Sequence, residues 1–78
     1  MLEKRSVTLS GHRTSVALEP EFWAVIEKSA RQSGQSIAAL IKEIDESRAS
    51  SGLERPLASS LRVWALKRAQ NGLESAAG

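Results

Sequence analysis

Arg13-Thr14-Ser15-Val16-Ala17-Leu18-Glu19-Pro20-Glu21-Phe22-Trp23 is the stretch that decides the fold. Its first six residues alternate: Thr14, Val16 and Leu18 against Arg13, Ser15 and Ala17. A period of two with β-branched residues reads as a strand, which presents two faces. Val16 and Leu18 are expected to face a core, and Arg13, Ser15 and Ala17 to face outward. At Glu19-Pro20-Glu21 the period changes. Proline suits the first helical turn, and acidic residues there complement the helix dipole. Phe22, Val25, Ile26, Ser29 and Ala30 then recur at helical spacing as one apolar stripe.

Upstream, Val7 and Leu9 alternate with Ser6 and Thr8, so Lys4–Leu9 also reads as extended. Ser10-Gly11 either closes a tight hairpin between the two runs or breaks them apart. Downstream, Gly34 is expected to end the first helix as a C-terminal cap. Ser36 is placed to cap a second helix carrying Ile37, Leu40, Ile41 and Ile44, which runs to about Ser47 and dissolves in Arg48-Ala49-Ser50-Ser51-Gly52. A third helix is expected from about Pro56 to Gln70, with Leu57, Leu61, Trp64 and Ala65 on its stripe. Asn71-Gly72 is expected to stop it. The resulting divisions are 1–11 as a basic arm or short strand, 12–48 as the core, 55–71 as the third helix and 72–78 as a flexible tail.

The order strand, helix, helix, helix poses a problem of hydrogen bonding. A single strand leaves its own backbone groups unsatisfied, and an isolated hairpin is marginal. Either Lys4–Leu9 pairs with Arg13–Leu18 in one chain, or the strand pairs with its copy in a second subunit; the two pairings can coexist. At 78 residues a monomer buries only roughly 60–65% of its unfolded surface. An obligate homodimer is therefore expected to complete the core.

Composition narrows the chemistry. The chain has no cysteine and one histidine, His12, so disulfides, thiolate metal sites and cysteine nucleophiles are excluded. No cofactor and no metal are expected. The acidic residues scatter over helical surfaces, with no nucleophile–base pair, so an enzyme is not expected. No apolar run approaches the ~20 residues that span a bilayer, and no signal-peptide pattern is present; a cytoplasmic protein is expected. The net charge is only +2, but Lys4, Arg5, His12 and Arg13 crowd the first eighteen residues against Glu3 alone. A basic segment on a balanced domain fits a nucleic-acid surface, although a solvated face has the same composition. Trp23 lies one position off the first helix's stripe, either widening the core face or covering the third helix. Phe22, Ile26, Ile37, Ile41 and Ile44 are expected in the core.

The run Arg13 to Trp23 resembles a ribbon-helix-helix strand leading into its first helix, and Gly34-Gln35-Ser36-Ile37 resembles that family's junction between helices. Lys4-Arg5-Ser6-Val7-Thr8-Leu9 followed by Gly11-His12-Arg13-Thr14-Ser15-Val16 is similar to a bacterial subfamily, as is Ala39-Leu40-Ile41-Lys42-Glu43-Ile44-Asp45. The resemblance covers about Lys4 to Ala69. It implies a mainly α fold with one β-strand per chain (β-α-α-α), in which paired strands of a homodimer form an antiparallel two-stranded ribbon; Lys4–Leu9 is open to adding an extra strand. It also implies a bacterial transcriptional regulator of the repressor type, with the ribbon in the major groove of double-stranded DNA and tetramers open on DNA. Arg13, Ser15 and Ala17 from both chains would then point at base edges. Ala17 departs from the family's longer, polar reading residues. Ser36 with the amides of Ile37 and Ala38 would hold a phosphate, and Lys4, Arg5 and His12 would reach phosphates beside the ribbon. The alternative is a dimer that has lost DNA binding and holds a protein partner through its third helix, or an antitoxin-like protein.

Overall fold

The computed structural model describes residues 1–50 and 56–77, with 72–77 through their backbone alone. The elements are β1 (Glu3–Leu9), β2 (His12–Leu18), α1 (Pro20–Ser33), α2 (Ile37–Ser50) and α3 (Leu57–Ala77). Of the pairings left open, the one within the chain is present, so the chain has two strands and not one: β1 and β2 pair antiparallel, from Leu9 opposite His12 to Glu3 opposite Leu18. The physical cause is the two-residue loop. Ser10 and Gly11 both have positive φ, 50° and 82°, as a type I′ turn requires, and that turn matches the natural twist of two strands.

Both strands keep strict alternation. Val7, Val16 and Leu18 are buried on the inner face, while Ser6, Thr8, Arg13 and Ser15 are exposed on the other. Trp23 closes this face from below. It is 1% exposed, and its indole Nε1–H donates to the Glu3 carbonyl at 2.8 Å. Trp23 therefore serves the core by anchoring the start of β1.

Glu19, extended at φ −61° and ψ 145°, leads into Pro20 at the head of α1. The amides of Phe22 and Trp23 donate to the Glu19 carbonyl at 3.0 and 3.2 Å, so the backbone, with no side-chain cap, starts this helix. Its end is a Schellman motif. Gln35 N–H donates to Ala30 O at 2.9 Å and Gly34 N–H to Arg31 O at 3.2 Å, with Gly34 left-handed at φ 69°. Ser36 then caps α2, its Oγ accepting from Ala39 N–H at 3.1 Å, while Leu40 N–H donates to Ser36 O at 3.1 Å as the first helical bond.

The core joins Leu18, Trp23, Ile26, Ile41 and Leu61, all below 2% exposure. Ile44 is buried as expected, whereas Phe22 and Ile37 are half-buried at its rim; each stands in the first turn of its helix, where the loop side opens to solvent. α3 packs on α1, α2 and β2 and contributes Leu61 and Ala65, both 0% exposed. Two helix ends differ from expectation. α2 continues to Ser50, and the break expected at Ser51-Gly52 lies outside the described residues, as does residue 55. α3 continues through Asn71-Gly72 to Ala77, past the stop expected there. A single internal glycine costs only about 1 kcal/mol relative to alanine, and Leu73, Glu74, Ala76 and Ala77 favour helix.

Candidate nucleic-acid interface

The hairpin register lays out the outward face as three cross-strand pairs: Lys4 with Ala17, Ser6 with Ser15, and Thr8 with Arg13. All are exposed except Ala17, which is half-buried. No carboxylate stands among these six positions. The one acidic residue of the two strands, Glu3, belongs to the other face. Neither Lys4 nor Arg13 has an ion-pair partner among the described residues. Lys4 and Arg13 lie at opposite ends of the patch, with hydroxyls between them. Such a surface offers donors to acceptor-rich base edges and phosphates.

Arg5 stands apart from this face. Parity turns it inward with Val7 and Leu9, and its guanidinium pairs with Glu3 at 2.6 Å and Glu27 at 2.6 Å. It also lies 4.7 Å from the centroid of the Trp23 ring, a cation–π distance. The hydrogen bond to Glu27, then that to Glu3, raises its pKa further above the ordinary guanidinium value. Arg5 thus ties β1 to α1. Charge alone groups it with Lys4; its position two residues before buried Val7 places it on the opposite face of the strand. The same parity brings Ser6 and Thr8 onto the outward face, a placement the reading of β2 alone missed.

His12 is exposed at the first position of β2, opposite Leu9 on the inner-face parity. It sits at the hairpin tip, off the row of Arg13, Ser15 and Ala17. At the start of α2, Ser36 is exposed and its Oγ is occupied as acceptor by Ala39 N–H. That bond leaves its hydroxyl proton free to donate. Ile37 and Ala38 precede the first residues able to find an intrahelical acceptor, so their amides carry the positive end of the dipole.

The basic residues of α3 divide. Arg62 Nε donates to Glu19 Oε1 at 2.9 Å, joining α3 to the strand–helix junction. This bond, with one from the Glu19 backbone, lowers the Glu19 pKa from its ordinary value. Lys67 and Arg68 are exposed, and Trp64 is half-buried against the core. Among the described residues no three His, Cys, Asp or Glu side chains form a group that could hold a metal, and no helix is long and apolar enough to cross a membrane.

No curated protein and no solved structure matches the chain. A family model does: that of the ribbon-helix-helix domain, over residues 2–69. The match spans both strands, α1, α2 and most of α3. The chain belongs to the ribbon-helix-helix domain family.

Proposed function

We propose that this chain binds double-stranded DNA sequence-specifically as a homodimer, and acts in the bacterial cytoplasm as a transcriptional regulator with no catalytic step. The observation that carries the reading is the sorted hairpin: Arg13 and Ser15 stand exposed on a face without carboxylates, while Val16 and Leu18 lock the opposite face into the core. Family membership supports it, since ribbon-helix-helix domains are generally DNA-binding regulators.

β1 occupies one edge of β2, and the other edge has no strand neighbour among the described residues. In the proposed dimer that open edge pairs with β2 of a second copy about a two-fold axis, which satisfies the exposed backbone groups of both. The two central strands then form the ribbon that enters the major groove. Arg13 donates a bidentate pair to guanine O6 and N7, Ser15 makes a short adaptable contact, and Ala17 offers its methyl to thymine. Ser36 Oγ–H and the amides of Ile37 and Ala38 donate to a backbone phosphate and set the depth of the ribbon. Lys4, and His12 at the tip, lie beside phosphates. Arg5 braces the strand and does not touch DNA.

Titration of Arg13→Ala against a selected operator tests the reading. A loss of about 1–3 kcal/mol in specific affinity with the dimer intact is expected; unchanged affinity would remove Arg13 from the reading face. One observation favours a second reading, a protein-interaction module: Leu66 is 53% exposed on α3, one turn from half-buried Val63. An intact dimer that binds no DNA at low salt would select it.

A further inference from the structure

We infer that β1 is a phosphate-gripping flank of the DNA-binding sheet, with Lys4, Ser6 and Thr8 as its contacts. The inference rests on the proposed dimer. In that arrangement the strand order is β1-β2-β2-β1, because β1 already holds one edge of β2. Strands lie about 4.8 Å apart. The two β2 strands are therefore about 2.4 Å either side of the two-fold axis, and the two β1 strands about 7 Å either side.

The major groove is about 12 Å wide. A four-stranded sheet is too wide to enter it flat, but its two central strands fit. The outward rows of the two β1 strands, about 14 Å apart, then fall over the groove walls, where the phosphates are. The register puts those rows level with the base-reading row: Lys4 beside Ala17, Ser6 beside Ser15, and Thr8 beside Arg13. Their chemistry agrees with their place. Lysine, serine and threonine are general donors to phosphate oxygens, and all three are exposed. Arg5, the one longer cation of β1, is turned away and paired with Glu3 and Glu27.

The test compares full-length wild type with Lys4→Ala, with Ser6→Ala/Thr8→Ala and with Arg13→Ala. Each is titrated on a selected operator and on a scrambled duplex across 50–300 mM salt, with folding checked by circular dichroism. Lys4→Ala is expected to weaken both duplexes alike, by about 10-fold, and to lower the log–log salt slope by about 1.8, two phosphates at about 0.9 each. The double hydroxyl variant is expected to weaken both duplexes with its selected motif unchanged. Arg13→Ala should lose affinity mainly on the operator. If Arg13→Ala behaves so while the β1 variants match wild type in affinity and slope, the flank is refuted and the DNA-binding reading stands. A changed motif for Ser6→Ala/Thr8→Ala would overturn the phosphate assignment in favour of base contact. No binding by wild type at 50 mM salt would overturn both.

Discussion

Replacing Trp23 by phenylalanine tests how the reading face is held. Trp23 is 1% exposed and does three things: it fills the space under the hairpin, donates to the Glu3 carbonyl at 2.8 Å, and lies 4.7 Å from the Arg5 guanidinium. Losing the hydrogen bond costs about 0.5–1.5 kcal/mol. Loss of the larger ring system leaves a partial cavity worth about 1–2 kcal/mol, less than the 3–5 kcal/mol of full truncation to alanine. The weakened cation–π contact adds about 0.5 kcal/mol, since Arg5 is about a third exposed. The total is about 2–4 kcal/mol, or a fall in Tm of about 10–25 °C for a domain of this size. Thermal unfolding at fixed protein concentration measures it, because the stability of a dimer depends on concentration. Amide exchange should accelerate in β1 more than in α2. A double-mutant cycle with Arg5→Met isolates the Arg5–Trp23 coupling at about 0.5 kcal/mol. A loss below about 1 kcal/mol, with β1 amides still protected, would refute the role of Trp23 as the anchor of the hairpin.

Other expectations follow from local backbone and charge. Gly34→Ala should cost about 1–2 kcal/mol from left-handed backbone strain alone, since a Cβ there meets nothing within 4 Å; a neutral variant in chemical denaturation would contradict the left-handed cap. Ser10→Asn should stabilise by about 0.5–1 kcal/mol, because asparagine tolerates the positive φ of the first turn position better than serine; a lower Tm would argue against the type I′ turn. The Arg62 hydrogen bond depresses the Glu19 pKa in the folded state, so its contribution is present above the ordinary carboxylate value of 4.5 and lost as pH falls through the lower folded value. Glu19→Gln should therefore flatten the fall in Tm between about pH 5 and 3, and an unaltered acid limb would show that the pair contributes nothing.

Alternation makes the strands legible: Val16 and Leu18 lie on the buried face that period two assigns them. Local chemistry of the kind at Gly34 and Ser36 was equally readable, because a cap is specified by a few neighbouring residues. Pairing was not. Whether Lys4–Leu9 folds back depends on Ser10 adopting a positive φ, a conformation that serine only occasionally takes. Trp23 sits off the α1 stripe and is buried because β1 returns over it, a contact between residues twenty apart that helical spacing does not encode. Charge groups Arg5 with Lys4, whereas alternation turns the two to opposite faces of the strand. Asn71-Gly72 does not end α3, because that pair is a stop signal only where nothing continues the helix.

The central claim is that the outward hairpin face reads DNA. Selection from a random-sequence duplex library at two salt concentrations, with the mass of the complex measured in solution, tests it most directly. The account predicts an enriched, roughly palindromic motif bound by a dimer, with affinity falling as salt rises. A dimer that enriches no sequence and releases all duplexes at low salt would contradict it.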